Sequence, residues 1–268
     1  MDDDLALRAY DEQVRRSTVP PQPGWQVEFA SGDSVLRVVS PPEHKWGCFV
    51  IWSDLDESNA DGVIAEQVDY FRGLGRQFEW KWYGYDKPRD LRLRLEKAGF
   101  VAEDDESLIV GEVESIVDLC AGAPVADGVT LRHVRMDDLD ADFAGMAALN
   151  EKVWGDDFAW LMAELREELA NTPDDLRIHV AEVAGEIVCA AWVRFHADTE
   201  FASLWGGSTL PEWRRKGIYR ALVGRRAVQA HDRGFRYLQV DASPDSRPIL
   251  ERLGLTVLTG TTPYTWTP

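Results

Sequence analysis

The sequence predicts a mixed α/β fold built as two similar halves in tandem. Three observations predict it. β-rich apolar runs of strand length alternate with segments of helical period along the chain. The apolar pattern lapses around 120–128, where Ala121, Gly122, Ala123 and Pro124 follow one another, a composition that suits a linker. The two sides of that linker also repeat each other at one offset. Leu55 and Leu210 close strands, Gly62 and Gly217 open helices, and Asp86 and Asp241 end the next strands. Leu95 and Leu250 lie in the following helices, and Gly99 and Gly254 stop them, every pair being 155 residues apart. The expected domains are 1–124 and 125–268.

In the first half, Leu5, Leu7 and Ala9 give a lead-in helix, and Pro20, Pro21 and Pro23 an extended connector. Residues 35–39 read as a strand, as do 45–55, where Trp46, Phe49, Val50, Ile51 and Trp52 are β-formers. Val63, Ile64, Val68 and Phe71 recur at helical spacing over 61–74. Aromatics alternate over 78–85, a strand. Leu91, Leu93 and Leu95 mark a helix over 88–98, which Gly99 stops, and 107–113 is a further strand.

The second half opens with a strand over 129–134. Asp138 is expected to cap a helix that carries Leu139, Phe143, Met146 and Val153 on one face. Leu161, Leu165 and Leu169 predict a second helix over 158–169. Residues 177–183 and 186–195 read as a hairpin turning at Ala184 and Gly185. A strand over 201–210 runs into a basic loop and a helix over 218–230. A strand (237–241), a helix (248–253) ended by Gly254, and a last strand (256–266) interrupted near Gly260 complete the pattern.

A chain of 268 residues with 45% hydrophobic and 28% charged residues is expected to be globular. No apolar run approaches the ~20 residues of a membrane span. The acidic start, Met1 to Asp4, is unlike a signal peptide, so the expected location is cytoplasmic, with no membrane partner. Cys48, Cys120 and Cys189 form no CxxC pair and are expected to be buried thiols, with no metal site. A net charge of −18 argues against nucleic acid as a partner. It leaves a cationic small molecule as a partner, and solubility as the plainer role of most acidic residues. Monomer and homodimer both remain open.

Against this acidic background Arg214, Arg215 and Lys216 stand out, followed by Gly217, Ile218 and Tyr219. A strand, a short basic loop and a helix start present unpaired backbone N–H groups and the positive end of a macrodipole. That arrangement suits a phosphate ligand. The first half has Asn59, Ala60 and Asp61 at this station, and a carboxylate there repels a pyrophosphate. One anion site per chain is therefore expected.

The residues Thr209-Leu210-Pro211-Glu212-Trp213-Arg214-Arg215-Lys216-Gly217-Ile218-Tyr219-Arg220-Ala221-Leu222 resemble the cofactor loop of the GCN5-related N-acetyltransferases. A second stretch, Ser243 to Leu255, is similar to the later family segment that ends in Leu-Gly-Phe. The resemblance covers about 129–268 well, and 25–113 as a degenerate copy. It implies two domains of that fold, each a mixed, mostly antiparallel twisted sheet flanked by helices. It also implies acetyl-CoA as co-substrate, no metal, and an amine acceptor. The backbone at Thr209 and Leu210 would meet the pantetheine arm. The loop from Arg214 through Gly217 and Ile218 to Tyr219 would hold the pyrophosphate, and Ser243 would contact the cofactor.

Two departures stand out. Tyr219 replaces a small loop residue, and Leu250 stands where the family often has a tyrosine acid, which an apolar side chain cannot replace. No Asp or Glu lies within 201–210, and Glu200 reads as a solvated turn residue, so no catalytic base is assigned. Trp154, Asp156 and Asp157 sit where the family shapes its acceptor site and suit a cationic amine, although either carboxylate would also serve as a helix cap. Tyr264 is the phenol that could replace the missing acid, with packing as its alternative role. The resulting expectation is an N-acetyltransferase acting on a primary amine of a small cationic molecule. The alternative is a non-catalytic acyl-CoA sensor or interaction module. Gly217→Glu is expected to abolish cofactor binding with the fold intact.

Overall fold

The structure, a computed structural model, describes residues 1–44 and 47–268. The expected strand residues Lys45 and Trp46 lie outside the described ones. The chain divides into two compact units. The first comprises Asp2–Ile109, Asp241–Pro248 and Val257–Pro268, and the second Val110–Val240 and Ile249–Thr256, with Met1. The linker near residue 124 is inside the second unit, and the last stretch of chain belongs to the first.

The first unit begins with α1 (Asp3–Tyr10), whose N-terminus is capped by Asp2 accepting from the Leu5 N–H at 3.0 Å. One π-helical turn, Asp11–Arg15, follows. β1 (Gln26–Ala30) was not foreseen: Val27 and Phe29 do alternate with Gln26 and Glu28, but the run is short and its residues are exposed or half-buried. It pairs antiparallel with β2 (Val35–Val39), and β2 with β3 (Cys48–Ser53). Helix α2 (Ala60–Leu74) turns its apolar stripe inward and stops at Gly75, whose φ of 65° closes it. β4 (Phe78–Tyr83) then runs parallel to β3, as a strand–helix–strand crossover requires. α3 (Leu91–Lys97), β5 (Val101–Ala102) and β6 (Glu106–Glu112) follow. Phe71 and Phe78 stack at 4.2 Å in a core that includes Trp80, Phe100, Tyr264 and Trp266.

Chain beyond β6 forms α4 (Val113–Cys120), a helix the sequence reading missed. β7 (Thr130–His133), α5 (Leu139–Trp154) and α6 (Ala159–Asn171) come next. Asp138 takes the cap position of α5, but its side chain makes no capping bond, and its carboxylate lies 4.0 Å from Arg135 instead. β8 (Leu176–Val183) and β9 (Glu186–Phe195) form the expected hairpin. The antiparallel order β7-β8-β9 continues into β10 (Phe201–Thr209), and β10 pairs parallel with β11 (Tyr237–Ala242). Between β10 and β11 runs α7 (Ile218–Asp232), with the backbone of α4 packed closely against its Gly224. A Cβ at Gly224 would lie 2.6 Å from that of Cys120. α8 (Arg247–Glu251) precedes β12 (Thr256–Trp266), which is continuous rather than interrupted at Gly260. Through Tyr264↔Trp80 and Trp266↔Phe78, β12 pairs antiparallel with β4. Each unit is thus a mixed, mostly antiparallel sheet with helices, as expected.

Both halves contain the same run of strand, helix, parallel strand and helix, but their spacing is not constant. α2 and α7 begin 158 residues apart (60 and 218), and β4 and β11 begin 159 apart (78 and 237). Gly62 lies inside its helix, whereas Gly217 caps one. The match that survives at residue level is Gly99 with Gly254. They have φ of 94° and 92°, and each is followed by an N–H bond back to Leu95 or Leu250.

Candidate functional site

The second unit brings the loop, a strand bulge and a set of aromatic side chains to β10. The β10–β11 ladder covers only Phe201↔Tyr237 to Ser203↔Gln239, so Leu204 to Thr209 continue beyond it. On the other side β10 stays paired with β9 as far as Thr209↔Cys189, with a bulge between Gly206 and Ser208. Two consecutive glycines make the bulge possible. Gly206 and Gly207 have φ of 72° and 95°, and a Cβ on Gly206 would lie 2.4 Å from the Trp192 ring. A Cβ on Gly207 would lie 2.9 Å from the Tyr219 ring.

Past the bulge the chain leaves the sheet. Thr209 is buried, with its hydroxyl 3.1 Å from the Cys189 sulfur, and burial pushes that thiol up to about 11. The Leu210 N–H donates to the Val188 carbonyl at 3.0 Å, so it is not free for a ligand; the Thr209 carbonyl accepts from Arg214 Nε at 3.1 Å. Arg215 and Lys216 are exposed, the latter with its ammonium 4.1 Å from the Trp213 ring centroid. Gly217 takes φ of 79° and starts α7, leaving the N–H groups of Ile218, Tyr219 and Arg220 without carbonyls one turn back. Ile218 itself is in the core.

The linker packs on this loop rather than swinging free. The Ala126 N–H donates to the Lys216 carbonyl at 3.3 Å, and a Cβ at Gly217 would lie 2.2 Å from the Pro124 carbonyl oxygen. Gly217→Glu is therefore not the clean cofactor variant expected from sequence. Any side chain there meets backbone before it meets a ligand.

Ser203, Trp205 and Ser208 share one face of the sheet with Arg194, Trp192 and Ala190, by strand alternation. Trp154, at the end of α5 and 62% exposed, donates from Nε1 to Ser208 Oγ at 2.9 Å. Trp205, 45% exposed, donates from Nε1 to Ser203 Oγ at 2.6 Å. Arg194 lies 4.7 Å from the Trp205 ring centroid and is held by Glu168 through two 2.7 Å bonds. Ser203 Oγ also lies 2.8 Å from His196 Nε2, and burial lowers that imidazole to about 4, so it is neutral at pH 7. Asp157 accepts from the Ala159 N–H at 2.8 Å just ahead of α6, whose N-cap position is Phe158, while Asp156 is exposed.

The remaining expected residues lie in the first unit. Ser243 Oγ accepts from the Ser246 N–H at 3.3 Å, closing the turn into α8. Tyr264 is fully buried in that unit's core, and its hydroxyl accepts from Arg92 Nε at 2.7 Å. Leu250, by contrast, lies in the second unit and is buried there. The sequence reading missed Ser203, Trp205, His196, the bulge and Arg226. The glycine pair inside a strand was a usable signal for the bulge. For Arg226 it was an arginine in the apolar stripe of α7, between Leu222, Val223, Ala227 and Ala230.

The second unit thus brings together a parallel pair that separates after three residues, a bulged strand and a basic loop at a helix start. Residues 136–255 match the model of the Acetyltransferase (GNAT) family. No curated protein sequence matches the chain. Among solved structures, it is similar to a GCN5-related N-acetyltransferase from Kribbella flavida, at 16% identity and TM-score 0.67, covering 100% of this chain and 96% of that one. It is also similar to a tandem GNAT protein of the clavulanic acid biosynthesis pathway, at 13% identity and TM-score 0.62, covering 99% and 94%. A GCN5-related N-acetyltransferase from Sphaerobacter thermophilus follows at 17% identity and TM-score 0.56, covering 98% and 85%. At these identities the likeness shows the fold, over both halves. Among the described residues no cluster of His, Cys, Asp and Glu is arranged for a metal, and no helix is long and apolar enough to cross a membrane.

Proposed function

We propose that the second unit transfers an acetyl group from acetyl-CoA to a primary amine of a small, cationic molecule. The observation that carries this reading is the continuity of one strand. β10 runs past its β11 partner, bulges at two glycines and ends in the basic loop at the start of α7. Arg215, Lys216 and the first-turn N–H groups suit a pyrophosphate, and the strand beyond the ladder suits an extended amide-bearing arm. The bulge would lie beside the thioester. An oriented backbone donor there stabilises the oxyanion that forms when an amine attacks the carbonyl.

The acceptor would approach the Trp154 and Trp205 face, with exposed Asp156 adding negative charge nearby in sequence. The amine must lose a proton, and the departing thiolate must gain one. β10 offers no carboxylate for the first step, and the neutral His196 is bonded to Ser203 on that strand. Calorimetry with acetyl-CoA, followed by thiol release across a panel of amines, tests the reading. Tight binding with turnover on a cationic amine is expected, and failure to bind acetyl-CoA at all would sink it.

A second reading is favoured by one specific observation. Leu250, at the family's usual acid position, is buried in the core. A domain that binds acyl-CoA without transferring the acyl group needs no acid, and would act as a sensor or interaction module. Binding without thiol release on every amine of the panel is its signature.

A further inference from the structure

Helix α7 carries a buried cation that the reading above does not use. Arg226 is 1% exposed, and among the described residues no carboxylate pairs with it. Its Nε donates to the Leu222 carbonyl one turn back at 3.1 Å. Its Nη1 reaches two sheet carbonyls, Trp192 on β9 at 3.1 Å and Trp205 on β10 at 3.3 Å. Nη2 is buried without a hydrogen-bond partner. Burial pulls the guanidinium below its usual range and raises the Tyr219 phenol, whose hydrogen bond with the guanidinium works against both shifts without cancelling them.

A buried, unpaired arginine is unfavourable unless its position is otherwise determined. Here the two carbonyls say what determines it. Trp205 and Trp192 face each other in the ladder, one pair ahead of Gly206↔Ala191, after which the extra residue interrupts regular pairing. The same bulge is held by two rings. Trp192 fills the space where a Gly206 side chain would stand, and Tyr219 the space at Gly207. By strand alternation Trp192 projects from the face opposite Cys189, whereas Tyr219 arrives from α7, the helix that carries Arg226. Both strands of the bulge are thereby tied, through one side chain, to the helix whose N-terminus forms the basic loop.

We propose that Arg226 is a positioning residue that fixes the Gly206–Gly207 bulge, and so aims the strand's backbone donor at the acyl carbonyl of the bound thioester. The inference rests on the acetyl-CoA reading above. Its consequence is specific to the carbonyl oxygen. Losing the guanidinium fork should loosen the bulge without removing the cations or helix N–H groups that would hold the phosphates.

The test compares acetyl-CoA with S-ethyl-CoA, a thioether of the same length without the carbonyl, by calorimetry on the full chain. The wild type is expected to prefer acetyl-CoA by about tenfold, as one good backbone hydrogen bond allows. In Arg226→Met the preference should vanish, with S-ethyl-CoA affinity changed by less than about twofold. Isotope-edited infrared spectra of acetyl-CoA labelled at the carbonyl carbon give a second readout. The thioester band should shift to lower frequency on the wild type and return towards its free position on the variant. If Arg226→Met does not fold, Arg226→Lys, which keeps a charge and loses the fork, carries the same comparison. A variant that keeps both the preference and the band shift overturns the proposal. So does a wild type that binds both ligands equally. A wild type that binds neither overturns the acetyl-CoA reading itself, which is a separate outcome.

Discussion

Gly217→Ala separates two costs that the loop imposes. An L-residue in the left-handed region costs ~1–2 kcal/mol. Gly217, with φ of 79°, would incur that cost, and so would Gly185 in the β8–β9 turn, with φ of 87°. The two differ in their surroundings. Nothing lies within 4 Å of a Cβ at Gly185, whereas one at Gly217 would stand 2.2 Å from the Pro124 carbonyl oxygen. That oxygen belongs to backbone, so the linker must move by roughly 1 Å, and overpacking of this kind costs ~1–3 kcal/mol more. Gly217→Ala is therefore expected to lose about 3 kcal/mol, or about 6–12 °C in Tm, against about 1–2 kcal/mol, or about 2–8 °C, for Gly185→Ala. Both residues lie in the second unit, so differential scanning calorimetry reads the two variants on the same transition. Equal shifts would refute the argument, since they would mean that the linker does not rest on the loop. A displaced loop should also weaken acetyl-CoA, which the same samples report by titration.

Three further outcomes are expected. Replacing the exposed Arg215 and Lys216 together by alanine should weaken acetyl-CoA by about tenfold at low salt and flatten its salt dependence, because each cation acts through solvent; unchanged affinity at two salt concentrations would contradict the phosphate assignment. Arg15→Met should cost ~3–5 kcal/mol in a denaturant titration, because it strands Asp86, whose two oxygens now receive Nη1 and Nη2 at 3.0 and 3.2 Å in a buried site; pairing it with Asp86→Leu should recover most of that loss. His179 governs part of the acid limb. Burial, with the His133 ring 4.4 Å away and Arg225 and Arg226 nearby, lowers it from 6.5 to about 3, while Gln229 bonds its Nε2 at 2.9 Å. The unfolded chain therefore binds the proton first, and stability falls as pH drops from about 6.5 towards 3, by about 2 kcal/mol at pH 5. His179→Gln should flatten that limb in pH-resolved melts, and an unaltered slope would assign the loss elsewhere.

Much of the fold was legible because its elements announce themselves locally. Val63, Ile64, Val68 and Phe71 recur with helical period and bury one side of α2, and the β8–β9 hairpin turns at Ala184 and Gly185 as its alternation requires. The elements that escaped notice lack such a signature. β1 exposes most of its side chains, and α4 follows β6 without a break, so that its first residue, Val113, reads as the end of that strand. The site divides in the same way. The basic loop is contiguous, so Arg214 to Tyr219 could be read as one motif, whereas Ser203, Trp205, His196 and Arg226 meet only through pairing and helix packing. The placement of Ser243 and Tyr264 shows the limit most plainly. Both follow the loop in sequence, yet the chain's last strand joins β4, so Tyr264 stands between Trp80 and Arg92 in another core.

The contrast between the two halves is also a matter of what occupies the end of the central strand. In the second unit β10 runs on past its parallel partner, and its bulge is braced from α7. In the first unit the β3–β4 ladder is likewise short, Phe49↔Glu79 and Val50↔Trp80. There the next carbonyl, Ile51, accepts from Arg15 Nε at 3.1 Å, and the guanidinium lies 3.7 Å from the Tyr83 ring centroid. The chain's own π-helical turn thus satisfies the strand that the other copy leaves to a bulge and a loop. The first unit thus differs from the second in two separate features, Asn59, Ala60 and Asp61 in place of a basic loop and the bond from Arg15 to Ile51. Basic residues placed at 59–61 would leave that bond intact.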